Sequence, residues 1–173
     1  PASASVAVSR GKALEKRAAK YDSLTQTITW EVKYNYNEKN IPQDQAFLLD
    51  ELSDNQELIE DSFTVVEVEI DPTTGAVSKE TEFNNFTVTD RDDCKHGFKF
   101  QFNQDIEKAY KVVYQTKASE RVYEGKEIKN KVEANGKTVS GNQWINQEVF
   151  HKYHYNSETN YEEKTTKWGI SVN

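Results

Sequence analysis

Thr27–Asn35 reads TITWEVKYN. Ile28, Trp30, Val32 and Tyr34 fall on one side, and Thr27, Thr29, Glu31, Lys33 and Asn35 on the other. A period of two with one apolar face predicts a strand between a core and water. Lys167–Asn173, KWGISVN, is a near copy at the end of the chain. Both stretches read Trp-x-(Val/Ile)-x-(Tyr/Val)-Asn, about one sandwich module apart. They are the same strand of successive repeats, or two strands with one Trp each that match by chance.

The same alternation recurs outward from this strand. Phe98, Phe100 and Phe102 share a face, as do Tyr110, Val112 and Tyr114, and Ile128, Asn130 and Val132. Over Ser62–Ile70 the pattern places Thr64, Val66, Val68 and Ile70 together. Phe86–Thr89 and a stretch from Val139 to Tyr155, around Trp144, Val149 and Tyr153, are further expected strands. Asp71-Pro72-Thr73-Thr74-Gly75 and Asn135-Gly136 are turn sequences, the latter a strong hairpin signal. Gln104–Lys108 holds at most one helical turn, and Asn156–Lys164 is polar. Gly11–Lys20, GKALEKRAAK, is rich in helix formers, yet as a strand it would align Leu14, Lys16 and Ala18. Short strands with regular turns predict an all-β sandwich. The expected division is 1–10 as a linker or a strand from an upstream module, 11–146 as the sandwich, and 147–173 as the start of a second repeat or a C-terminal latch strand.

Only 35% of the 173 residues are hydrophobic, but 12% are aromatic, a balance that suits strands. A net charge of −7 argues against nucleic acid or an anionic membrane as the main partner. The chain has no apolar run of membrane-spanning length and no signal peptide, so targeting signals are expected outside this stretch. The single cysteine, Cys94, excludes an internal disulfide and reads as a solvent-facing bystander in a polar loop. His96, His151 and His154 lack a nucleophile partner or a third ligand, and on a strand His151 and His154 point to opposite faces. Neither a conventional enzyme, a metal nor another cofactor is expected.

Three polar residues stand where the pattern calls for apolar ones: Lys16 between Leu14 and Ala18, Asp50 between Leu48 and Leu52, and Asn130 between Ile128 and Val132. Burying such groups is costly unless they are paired or neutralised. Together they comprise an amine, a carboxyl and an amide carbon. Glu51 competes with Asp50, because Phe47 and Leu49 make its face apolar too.

Lys16 fourteen residues before Trp30, the strand ending in Asp50, Tyr114-Gln115-Thr116-Lys117 and the Asn130 strand resemble the collagen-binding-type modules of Gram-positive surface adhesins. The resemblance implies an immunoglobulin-like sandwich with an internal Lys–Asn isopeptide bond between Lys16 and Asn130, and Asp50 as proton shuttle. Family members often carry Gly shortly after the lysine. Here Arg17-Ala18-Ala19 follows, which leaves Lys20 as a second candidate. The alternatives are a buried Lys–Asp ion pair with a hydrogen-bonded Asn, or a solvated Lys16 on a short helix.

The resemblance implies an extracellular, wall-anchored stalk module, cross-linked against pulling and proteolysis, with neighbouring modules as partners. Its alternative is a module that binds a host matrix protein such as collagen or fibrinogen, with Tyr36, Tyr153 and Tyr155 as candidate surface aromatics. Lys152 precedes Trp168 much as Lys16 precedes Trp30, and is a possible second-repeat lysine. The tail, residues 165–173, could add a strand to a neighbouring molecule.

Overall fold

The computed structural model describes residues 11–146, 150–160 and 162–172; within 150–159 and 171–172 it describes the backbone alone. Twelve strands follow in chain order: β1 (Leu14–Asp22), β2 (Thr27–Tyr34), β3 (Phe47–Leu52), β4 (Gln56–Ile70), β5 (Val77–Glu82), β6 (Phe86–Asp90), β7 (Gly97–Phe102), β8 (Ala109–Ala118), β9 (Lys126–Ala134), β10 (Lys137–Ile145), β11 (Phe150–Asn160) and β12 (Thr165–Val172). One antiparallel sheet has the order β1-β2-β8-β4-β5, the other β10-β9-β3-β7-β6, and β11 pairs with β12. The expected all-β, immunoglobulin-like sandwich is the fold found. A 3-10 turn at Gln43–Gln45 is the one helical element among the described residues. Gln104–Lys108 is held instead by a bridge between Ile41 and Ile106.

The first sheet is built on β2. Ile28, Trp30, Val32 and Tyr34 are buried. Opposite them on β8 lie Thr116, Tyr114, Val112 and Tyr110, all buried too. From the second sheet, Leu48, Phe98, Phe100, Phe102, Ile128 and Val132 close the core. The Trp30 indole donates to Thr116 Oγ1 at 2.8 Å, and that hydroxyl donates to Gln56 Oε1 at 2.8 Å. Each buried polar group of this row thus has a partner, which keeps its burial cheap. Asn135 and Gly136 both take positive φ, 48° and 70°, as a type I′ hairpin between β9 and β10 requires.

Helix propensity misleads over β1. The segment pairs along β2 from Leu14↔Tyr34 to Asp22↔Thr27, with a register shift between Ala18 and Lys20. Pairing covers the edge of β2 and buries Leu14, a gain that intrinsic propensity does not outweigh.

The expected inward face of β4 is corrected. Val65 and Val68 are buried and Phe63 packs on the core, whereas Thr64 is exposed. A register shift against β8 between Ile59 and Thr64 resets the phase of the strand. Trp144 is also corrected: it is 60% exposed, and the neighbouring Ile145 is the buried residue. Its indole lies against the Gly125 backbone, where an added Cβ would sit 2.5 Å from Nε1.

The polar stretch expected over Asn156–Lys164 is strand as far as Asn160. β5, unread in the sequence, is exposed throughout. The proposed linker 1–10 and Val149 lie outside the described residues.

Candidate functional site

Four strands bring one polar cluster into the core. β1 and β8 of the first sheet supply Lys16 and Tyr114, and β3 and β9 of the second supply Asp50 and Asn130. Burial selects Asp50: Leu48, Asp50 and Leu52 are the buried residues of β3. Glu51 points outward to Lys131 at 2.9 Å and Lys95 at 3.3 Å. Lys16 is turned inward, its side chain 0% exposed, whereas Lys20 is exposed.

Lys16 Nζ donates to Asp50 Oδ2 at 2.5 Å and also contacts the Tyr114 hydroxyl. Tyr114 Oη donates to Asp50 Oδ2 at 2.7 Å, and Asn130 Nδ2 donates to Tyr114 Oη at 2.8 Å. The amine, the carboxyl and the amide expected from sequence therefore meet, with the Tyr114 hydroxyl as their common neighbour. Sequence reading placed Tyr114 among the core aromatics; that its face also carries Lys16's partners is visible only once the two sheets are stacked.

Apolar surroundings set the charge states. The Tyr114 ring packs on Phe98 at 4.9 Å and Phe63 at 5.4 Å between centroids. Lys16 Nζ lies 5.0 Å from the Tyr114 ring centroid and 5.6 Å from that of Trp30. Burial lowers the Lys16 pKa, against the opposing pull of Asp50. Burial raises that of Asp50, against the pull of Lys16, and holds Tyr114 well above a normal phenol. Both members of the pair are thus pushed towards their neutral forms. Asp50 Oδ1 and Asn130 Oδ1 are the two buried oxygens of this cluster without a hydrogen-bond partner.

The β6–β7 loop grips the backbone of Asp50. Arg91 Nη1 donates to the Asp50 carbonyl at 3.3 Å. Gly97, at φ +148°, lies against the same carbonyl, and a Cβ there would stand 2.0 Å from the oxygen. Gly97→Ala is therefore expected to destabilise the domain by about 2–3 kcal/mol, since strand β3 must shift to admit the methyl. Denaturant unfolding measures this; an unchanged midpoint would mean that the loop does not hold Asp50.

Other sequence candidates lie apart from this cluster. Cys94 and His96 are exposed, and Tyr36 is half-buried beneath Lys33, 5.5 Å from its ring centroid. The side chains of Lys152, Tyr153, Tyr155, His151 and His154 lie outside the described residues. Among the described residues no three His, Cys, Asp or Glu side chains group as a metal site.

A family model described as the collagen binding domain matches residues 12–144. Among solved structures, the chain is similar to the collagen adhesin of S. aureus, with a TM-score of 0.51 and 16% identity over 95% of this chain and 53% of that one. It is similar also to the collagen binding domain of Erysipelothrix rhusiopathiae surface protein RspB, with a TM-score of 0.51 and 12% identity over 93% of this chain and 49% of that one. These two likenesses are of fold, and the chain spans about half the length of each. Among curated protein sequences none matches.

Proposed function

The chain belongs to the collagen binding domain family, and on that footing we propose that it is a matrix-binding module of a Gram-positive surface adhesin, displayed outside the cell and locked internally by a Lys16–Asn130 isopeptide bond. The observation that carries the binding role is the family match across the whole sandwich, residues 12–144. It outweighs the purely load-bearing role that the repeated Trp motif suggested. The two Trp strands have unlike surroundings: Trp30 is sealed in the core, while Trp168 is 54% exposed on a hairpin arm.

The expected partner is a host matrix protein of the collagen type. The test is binding of the purified chain to immobilised triple-helical collagen. Saturable binding that is lost on heat-denatured collagen is expected. A flat response at every concentration would return the module to the stalk role.

The cluster supports the cross-link through its chemistry. An amine attacks an amide carbon only when unprotonated, and burial favours that form of Lys16. A protonated Asp50 would present Oδ1–H to Asn130 Oδ1, giving both of those oxygens a partner. Lys16 Nζ bonds to Asn130 Cγ to give a tetrahedral intermediate, and the Cγ–Nδ2 bond then breaks. One amine proton passes to Nδ2, and ammonia leaves. Folding supplies the proximity that makes the step effectively unimolecular. Each chain reacts once, so this is maturation and not turnover.

A further inference from the structure

We propose that the Tyr114 hydroxyl is a catalytic group of this bond-forming step, delivering the proton that turns Asn130 Nδ2 into ammonia. The inference rests on the cross-link reading and adds to it the route of the proton.

Attack and departure occur at different nitrogens. The amine proton must leave Lys16 Nζ, and a proton must reach Asn130 Nδ2. Asp50 Oδ2 is placed for the first task, 2.5 Å from Nζ. The hydrogen bond that Asn130 Nδ2 makes among the described residues goes to Tyr114 Oη, at 2.8 Å. That hydroxyl in turn donates to Asp50 Oδ2 at 2.7 Å. The contacts run from Lys16 Nζ to Asp50 Oδ2, Tyr114 Oη and Asn130 Nδ2, and Lys16 Nζ also touches Tyr114 Oη directly.

The protons balance along this line. As Nζ bonds to Cγ, Asp50 Oδ2 takes one amine proton, and Oδ1–H protonates the carbonyl oxygen of the tetrahedral intermediate. Once Oδ2 carries the amine proton it donates to Tyr114 Oη, the Tyr114 O–H turns from Asp50 to Nδ2, and that proton moves to Nδ2 as the Cγ–Nδ2 bond breaks. The Tyr114 oxygen receives the proton held at Asp50 Oδ2, and the hydroxyl of the intermediate returns its proton to Oδ1. Ammonia departs, the new amide is neutral, and Tyr114 and Asp50 end as they began. Burial keeps the phenol protonated, so the two transfers at Tyr114 occur together and no phenolate accumulates.

The ring also packs on Phe63 and Phe98, so the hydroxyl has to be separated from the ring by experiment. Tyr114→Phe retains those contacts. The fraction of chains with the ammonia deficit is followed by intact mass from first purification over several days, for the unmodified chain and for Tyr114→Phe. The unmodified chain is expected to be complete at the first reading, with the variant folded by near-UV circular dichroism and reacting on the order of 10²-fold more slowly or worse. Tyr114→Phe reaching the deficit as fast as the unmodified chain would overturn the role of Tyr114 while leaving the bond in place. An unmodified chain at full mass would overturn both. If Tyr114→Phe does not fold, 3-fluorotyrosine at position 114 keeps the ring and acidifies the hydroxyl. A changed rate is then expected, and an unchanged one overturns the proposal.

Discussion

The purified chain is expected to weigh about 17 Da less than its sequence, the mass of one ammonia. The expectation rests on an amine and an amide brought into one buried cluster, where burial favours the neutral amine. Lys16→Met, Asn130→Ala and Asp50→Ala each remove one participant and should restore the full mass. Lys20→Ala and Glu51→Gln should leave the deficit intact, because Lys20 is exposed and Glu51 pairs outward with Lys131 and Lys95. Proteolysis should yield one branched peptide joining the Lys16 and Asn130 segments. A folded chain at full mass would reduce the cluster to an ion pair with a hydrogen-bonded amide.

The second large effect is on unfolding. Asn130→Ala leaves the loop from residue 16 to residue 130 open in the unfolded state. By the chain-entropy argument developed for disulfides, this costs roughly 4–5 kcal/mol. For a domain of this size the melting temperature should fall by roughly 10–20 °C. The gap depends on pH with a definite sign. In the unlinked variant the folded Lys16 pKa lies below 10.5, its ordinary value, to which it returns on unfolding. Between those two values the unfolded chain binds a proton that the folded chain does not, which favours unfolding. The penalty fades as pH rises towards 10.5, whereas the linked chain has no amine there to titrate. Asp50 is raised by burial against the pull of the Lys16 charge; the cross-link removes that pull, so in the linked chain Asp50 is raised further and its fold loses stability as pH rises, which narrows the gap in the same direction. Denaturant midpoints at pH 7 and pH 10 should therefore draw closer at the higher pH. Coincident midpoints at pH 7, or a gap that widens with pH, would contradict the cross-link.

Period-two alternation was enough to read β2, β7, β8 and β9, because both faces of those strands have uniform surroundings. It also placed Asp50 with Leu48 and Leu52, though not against Glu51. That choice depends on Lys95 and Lys131, which come from a distant loop and strand. β4 misled because Val65 and Val68, of opposite parity, are both buried while Thr64 is exposed, a break in alternation that composition does not mark. Trp144 misled because a large aromatic reads as core, whereas here it lies over a glycine on the outside. β1 was ambiguous because local propensity and tertiary pairing oppose one another. Tyr114 was legible as a buried ring and illegible as the hub of the cluster. Its neighbours come from three other strands, and period-two alternation does not encode their meeting.

The outer edge of the first sheet bears on how such modules tolerate crowding. β5 ends that sheet with Val77-Ser78-Lys79-Glu80-Thr81-Glu82, exposed along its whole length. Three of the six side chains are charged, and they reach back to the sheet: Lys79 to Glu69 and Glu80 to Lys111. An open strand edge is a template for another chain, and charges of both signs along it make edge-to-edge stacking of identical copies unfavourable. Copies packed side by side would thereby remain separate particles and not fuse into a continuous sheet.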